Sequence, residues 1–224
     1  MKHASLFSGI GAADLAAEWM GWENIFQCEK DEFCLKVLEK NFPKTKRYGD
    51  IKQFAAGEYM GAVDILTGGF PCQPYSQAGL RKGTEDDRHL WPEYLRIIRE
   101  IQPGFVVGEN VYGIINWSEG LVFEQVQTDL EAIGYEVQAV VLPACGINAP
   151  HKRDRVWFVA YSESNFRNIQ TRNERSLTQA IQEERFNESF VTTNTNSKRR
   201  EGGKTSRNIK EVGRYSGRHK QTIE

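Results

Sequence analysis

The chain is predicted to be an α/β protein built on a doubly wound, largely parallel sheet with helices on both faces. Three observations predict this. Short apolar runs alternate with amphipathic stretches from the N-terminus to about residue 160. Most of the runs close on a glycine or an acid, the punctuation of strand-to-helix turns. The alternation holds a pitch that suits repeated strand-helix units, and such units stack into a parallel sheet.

The elements follow in order. His3 to Phe7 is a first strand, with Ser8-Gly9-Ile10-Gly11 as its turn and Ala12 to Met20 as a helix. Asn24 to Cys28 is a second strand ending at Glu29, and Asp31 to Asn41 repeats Phe33, Val37 and Leu38 at helical spacing. Thr45 to Tyr48 is a short third strand closed by Gly49-Asp50. Val63 to Leu66 is a fourth strand, and glycines and prolines force a sharp loop after it. Leu90 to Glu100 is a helix, Phe105 to Gly108 a fifth strand ending at Glu109, and Phe123 to Ile133 a helix closed by Gly134. Tyr135 to Leu142 and Arg155 to Tyr161 supply further strands.

Beyond residue 160 the character changes. Residues 161–224 hold 13 Lys and Arg against 8 Asp and Glu, a surplus of five, so the net charge of −1 leaves −6 on residues 1–160. The same segment is polar with isolated apolar residues, too few to offset the entropy of ordering. The expected division is a folded domain over 1–160 and a mostly disordered basic tail over 161–224, with a weak helix around Ser176 to Phe186. Nonspecific contact with nucleic acid and a solvated linker both fit that tail. A length of 224 residues suits one domain plus such an appendage. No apolar run is long enough to span a bilayer, and no basic-then-apolar leader opens the chain, so a cytoplasmic protein is expected. Cys28, Cys34, Cys72 and Cys145 make no CxxC pair and no metal-ligand spacing with the four histidines, so reduced thiols and no metal are expected.

Candidate functional residues cluster at strand ends. Gly68-Gly69-Phe70-Pro71-Cys72-Gln73-Pro74-Tyr75-Ser76 carries a cysteine framed by prolines just past the fourth strand. Open α/β sheets place ligands at that edge, where a thiol is a candidate nucleophile. The turn after the first strand suits close approach by a ligand, but Gly9-x-Gly11-x-x-Asp14 fails the dinucleotide fingerprint. Glu29 stands where an acid would grip ribose hydroxyls, and Asp50 where one would accept from an adenine amino group. Together they favour an adenosine-bearing ligand. Glu109-Asn110-Val111 follows a buried strand, so Glu109 is a candidate proton donor. Arg153 and Arg155 fall on one face if a strand begins there, and two guanidiniums suit phosphate or a base carbonyl.

These residues resemble, in order and spacing, the motifs of the DNA (cytosine-5) methyltransferases over roughly residues 3 to 160. Phe7-Ser8-Gly9-Ile10-Gly11 looks like the cofactor loop, Glu29 the second motif, Asp50-Ile51 the third, and Gly69-Phe70-Pro71-Cys72-Gln73 the nucleophile loop. Arg88 to Glu100 resembles the fifth motif, Glu109-Asn110-Val111 the sixth and Arg153-Asp154-Arg155 the eighth. Ala12 and His151 depart from the Gly and Gln of many members.

The resemblance implies a Rossmann-like, S-adenosylmethionine-dependent methyltransferase fold, with S-adenosylhomocysteine as product and no metal. It implies cofactor contacts from Phe7, Ser8, Gly9, Ile10, Gly11, Ala12, Glu29, Lys30, Asp50, Ile51, Gly69, Pro71 and Leu90. Catalysis falls to Cys72, Glu109, Arg153 and Arg155, and double-stranded DNA to Gln73, Ser76, Arg81 and Lys82. Cys72 would add to carbon 6 of a flipped cytosine while Glu109 holds nitrogen 3, so that carbon 5 accepts the methyl group. The loop from Ser76 to Arg88 would be a mobile lid.

The family's target-recognition region and last two motifs have no counterpart after Ala160, which implies a truncated or split enzyme. Two further readings stay open at this point: a non-catalytic or partner-dependent fragment, and an RNA cytosine methyltransferase on the same framework. The implied setting is a bacterial or phage nucleoid, with a second chain supplying the recognition region and a cognate restriction endonuclease as candidate partners.

Overall fold

The computed structural model describes residues 1–71 and 90–171. Seven strands form one sheet in the order β3-β2-β1-β4-β5-β7-β6. They are β1 (Lys2–Leu6), β2 (Glu23–Cys28), β3 (Lys46–Tyr48), β4 (Ile65–Gly68), β5 (Phe105–Val111), β6 (Glu136–Pro143) and β7 (Asp154–Tyr161). Among the described residues, helices α1 (Ala12–Trp19), α2 (Glu32–Asn41), α3 (Trp91–Ile101) and α4 (Leu121–Ala132) accompany them, and a further helical stretch follows β7. The pairings among β1 to β5 are parallel, whereas β7 runs antiparallel to both β5 and β6. The doubly wound, mostly parallel α/β sheet expected from the sequence is therefore the fold, Rossmann-like in type.

Strand order reverses between β1 and β4: β2 and β3 build outward on one side, β4 and β5 on the other. Right-handed crossovers then put α1 and α2 on one face and α3 and α4 on the opposite face. The reversal opens a crevice at the carboxyl ends of β1 and β4, where ligands of such sheets bind. Because parallel strands lie between helix layers, Ala4, Leu6, Leu66 and Val106 are buried to 1% exposure or less.

On the α3 side the core is aromatic. Phe70 packs on Trp91 with ring centroids 5.1 Å apart, and Tyr94 is fully buried between Phe7 and Phe70. The indole of Trp91 donates to Asp129 at 2.8 Å and so ties α3 to α4. At the other edge, Phe26, Tyr48, Phe54 and Tyr59 form a second cluster, with Tyr48 stacked on Phe54 at 4.0 Å.

The other face of the sheet is covered only in part. α1 packs on β1 and β2. Beyond it, Val107 and Trp157 are half-buried and Val159 is exposed, all on the face opposite the buried Val106, Val156, Phe158 and Ala160.

The first compact unit runs from Met1 to Arg175, past the boundary expected at residue 160. Residues 163–171 are helical. Phe166 packs edge-on against Phe105 and Tyr161, and Ile169 is buried. The start of the segment expected to be disordered thus belongs to the folded unit, because Phe166 and Ile169 supply the apolar anchors that an average over 161–224 conceals. The helix expected around Ser176 to Phe186 lies outside the described residues.

Candidate active site at the switch point

Four strand ends converge on a cavity of about 330 Å³ in the crevice. Phe7 enters from the turn after β1, Glu29 and Lys30 from the end of β2, and Asp50 and Ile51 from the loop after β3. Gly69 and Pro71 close the fourth side from the loop after β4, and Leu90 contributes from just before α3. Eight residues expected to hold a cofactor therefore line one cavity. Cys28 and Gly49 line it too and escaped the sequence reading. Their signal was positional alone, each preceding an acid at a strand end.

Hydrogen bonds fix the mouth of this cavity. The carboxylate of Glu29 accepts from the Gly9 amide at 2.8 Å and from the Asp31 amide at 2.9 Å, bracing the glycine turn against β2. Asp50 accepts from the Lys52 amide at 3.0 Å and so closes its own turn. The Cys28 thiol donates to the Gly49 carbonyl at 3.2 Å, and burial pushes its pKa up to about 12, with Glu29 and Asp50 adding to the effect. It is a pinning group and not a nucleophile at neutral pH.

A second cleft, about 500 Å³, adjoins the first. Phe7 and Gly69 line both. The second is walled by Ala12, Ala13, Ala16 and Ala17 of α1 and by Val107, Glu109 and Trp157 of the sheet, and Ser8 lines it next to Phe7. Ser8 and Ala12 thus join the candidate site here, whereas Gly9, Ile10 and Gly11 line neither cleft. Ile10 is 59% exposed. Gly11 faces α2: a Cβ there would strike the ring of Phe42 and lie 2.9 Å from Leu38 Cδ2. The conformation of Gly11, at φ 88, and its packing require glycine, rather than approach by a ligand.

Glu109 sits at the end of β5 beside Gly69, whose added Cβ would stand 3.2 Å from Glu109 Oε2. Arg155 Nε lies 2.8 Å from Glu109 Oε1, both side chains being only partly exposed. The register explains the pair. Glu109 faces Trp157 and Val111 faces Arg155, so the acid and the base are diagonal neighbours on one face of an antiparallel pair.

Arg153 does not share that face. β7 begins at Asp154, and Arg153 precedes it with φ 41 and an exposed side chain. The expectation of two guanidiniums side by side required a strand that already includes Arg153, one residue earlier. Lys152 instead pairs with Asp154 at 2.8 Å.

The neighbouring Asn110 is buried. Its amide donates to the Phe70 carbonyl at 3.0 Å, and its carbonyl oxygen accepts from the Val111 amide at 2.8 Å. It therefore anchors the chain two residues before Cys72. Cys72 itself, with Gln73, Ser76, Arg81, Lys82 and the segment expected to form a lid, lies outside the described residues. Among the described residues no group of three or more His, Cys, Asp or Glu could hold a metal ion, and no helix is long and apolar enough to cross a membrane.

Comparison with known proteins identifies the family. The family model of the C-5 cytosine-specific DNA methylases matches residues 1–224. The type II methyltransferase M.HhaI of Haemophilus parahaemolyticus is 35% identical over 172 residues, which is 76% of this chain and 52% of that protein. The type II methyltransferase M.AquIA of Picosynechococcus is 35% identical over 175 residues, 70% of this chain and 71% of that one. The S. pombe Dnmt2 methyltransferase has the same fold, with a TM-score of 0.60 at 21% identity over 72% of this chain and 51% of that one. The chain spans about half the length of the first curated relatives it matches. With motifs, cavity and family match in agreement, the chain belongs to the C-5 cytosine-specific DNA methylase family.

Proposed function

We propose that this chain is the catalytic and cofactor-binding portion of a DNA (cytosine-5) methyltransferase. The observation that carries the reading is the Glu109–Arg155 pair, set against Gly69 where the two clefts meet.

The residues present fit S-adenosylmethionine. Glu29 and Asp50 offer carboxylates for hydroxyl and amino donors in the first cavity, with Phe7, Ile51 and Leu90 as apolar walls. The second cleft, with Ser8 and Ala12 at its near end, leaves room for the amino-acid portion. When bound, the cofactor supplies an electrophilic methyl group.

The chain's own residues then prepare the base. Glu109 holds and protonates cytosine at nitrogen 3, which draws electron density from the ring. Arg155 orients that carboxylate and fixes the base carbonyl. The Cys72 thiolate adds to carbon 6 so that carbon 5 can accept the methyl group, and is expelled as the carbon 5 proton passes to solvent and the ring double bond re-forms. The base must leave the duplex stack to reach these groups.

A second reading, a chain that acts only with further polypeptide, is favoured by one observation. Val107, Trp157 and Val159 present a partly exposed apolar face beside the second cleft, more than a sheet leaves to water without cause.

The deciding experiment incubates the folded chain and S-adenosylmethionine with duplex DNA carrying 5-fluorocytosine. Fluorine cannot leave as the proton does, so a competent enzyme is trapped as a denaturant-stable adduct. The expected result is an adduct at Cys72 that Cys72→Ala abolishes. An adduct at another residue overturns the catalytic assignment. No adduct from a folded chain that binds cofactor selects the second reading.

A further inference from the structure

A polar network that the mechanism does not use lies beneath the cofactor turn. Asp14 of α1 is fully buried, as are His3 of β1 and Gln27 of β2, and Ser5 of β1 is 1% exposed. The Ser5 hydroxyl donates to Asp14 Oδ1 at 3.0 Å, with Oδ2 at 3.1 Å. It also meets the Ser8 hydroxyl at 2.7 Å. Ser8 in turn contacts the carbonyls of Ser5 and Cys28 at 3.2 and 3.3 Å. On the other side, His3 Nδ1 donates to Asn24 Oδ1 at 2.7 Å, and the Asn24 amide donates to the Asp14 carbonyl at 3.0 Å. Thr67 contacts His3 Nε2 at 2.9 Å, so the neutral ring is satisfied at both nitrogens.

Two features single this network out. First, the turn it supports is strained: Phe7, which lines both clefts, has φ 52, in the left-handed region that a side chain disfavours. Such a conformation persists only where its surroundings over-determine it. Ser8, the next residue, supplies that determination through its hydroxyl and through its carbonyl, which accepts from the Gly11 amide at 2.9 Å.

Second, the position is costly. α1 reads Ala-Ala-Asp-Leu-Ala-Ala-Glu-Trp, and its other buried residue is Ala17. An alanine at 14 would bury no carboxylate and would favour the helix. A local rule broken without a stability gain points to a functional site.

We propose that Asp14, acting through Ser5 and Ser8, is a positioning residue that holds the Phe7–Gly11 turn in its cofactor-accepting conformation. The consequence for affinity rests on the S-adenosylmethionine reading above. The effect on the turn does not.

The test compares Asp14→Ala and Asp14→Asn with the wild-type chain, all without cofactor. The readouts are thermal unfolding and amide hydrogen exchange at Gly9 and Gly11. Asp14→Ala is expected to unfold at the wild-type temperature or above it. Its Gly9 and Gly11 amides should exchange at least about tenfold faster while α4 and β5 amides keep their rates. Asp14→Asn retains an acceptor for Ser5 and is expected to restore most of the protection. Affinity for S-adenosylmethionine, measured by calorimetry, should fall about tenfold in Asp14→Ala and recover in Asp14→Asn.

Unchanged protection at Gly9 and Gly11 in the alanine variant overturns the proposal. So does a uniform rise in exchange with a lower unfolding temperature, which marks a merely structural residue. Should Asp14→Ala not fold, Ser5→Ala breaks the same link with the carboxylate in place, and the same two outcomes decide. A wild-type chain that binds no S-adenosylmethionine refutes the cofactor reading, while hydrogen exchange still decides the positioning role.

Discussion

Replacing Gly11 by alanine separates two explanations of the cofactor turn. Both Gly9 and Gly11 have positive φ, 55 and 88, and either could serve close approach by a ligand. Their surroundings differ. A Cβ on Gly9 meets nothing within 4 Å, whereas one on Gly11 runs into Phe42 and stands 2.9 Å from Leu38 Cδ2. Each alanine carries a backbone penalty of about 1–2 kcal/mol for the left-handed conformation. Reduced freedom of the unfolded chain returns about 0.4–1 kcal/mol of that. Gly11→Ala adds overpacking of a buried ring, typically about 1–3 kcal/mol.

The expected losses are therefore about 1 kcal/mol for Gly9→Ala and about 3 kcal/mol for Gly11→Ala. At roughly 2–4 °C per kcal/mol for a chain of this size, the second lowers the unfolding temperature by roughly 6–12 °C. Circular dichroism melts of the two variants side by side measure the difference. Equal melting temperatures would refute the packing argument and return Gly11 to the role of a ligand-contacting glycine.

Three further outcomes are expected. Asn110→Ala leaves the Phe70 carbonyl without its 3.0 Å donor, so urea unfolding should show a loss of about 1–3 kcal/mol, and a neutral result would count against Asn110 as anchor of the chain after β4. Burial holds the Cys28 thiol at about 12 while Cys145 is exposed, so brief alkylation at pH 8 should label Cys145 and spare Cys28, as peptide mass spectrometry would show. Burial also lowers the pKa of His3 below its ordinary value of 6.5, against smaller opposing effects of Asn24 and Asp14. The unfolded chain then binds the extra proton first, so this group's contribution is complete above about pH 6.5 and is lost as pH falls below it. Urea midpoints should decline over that range in the wild type and decline less in His3→Gln.

The candidate site was legible wherever a residue's place follows from chain order. A strand that ends presents its next residue at the sheet edge. Glu29 and Asp50 were therefore found from apolar runs and the acids that end them, Phe7 and Gly69 entered through the family resemblance, and the structure gathers all four on one cavity. Glu109 was found in the same way, at the end of β5.

Cooperation across strands was not legible. Arg155 reaches Glu109 only because β7 lies antiparallel to β5 in a register that sets Val111 against Arg155. Periodicity within one segment carries no register between two, so the sequence set Arg153 and Arg155 on one face without showing which meets Glu109. Asp14 stood in the sequence only as the residue at which the dinucleotide fingerprint fails. Its partners His3 and Ser5 come from β1, and only the packing of α1 on that strand joins them.

The sequence by itself determined the element order, the edge at which the acids collect and the family motifs, because each depends on residues near one another in the chain. The tertiary structure alone decided which side chains meet. It turned Gly11 toward Phe42, joined Asp14 to the turn after β1, paired Arg155 with Glu109 and carried the folded unit past residue 160. Each of these rests on distance through space, fixed by strand register and helix packing among segments far apart in the chain.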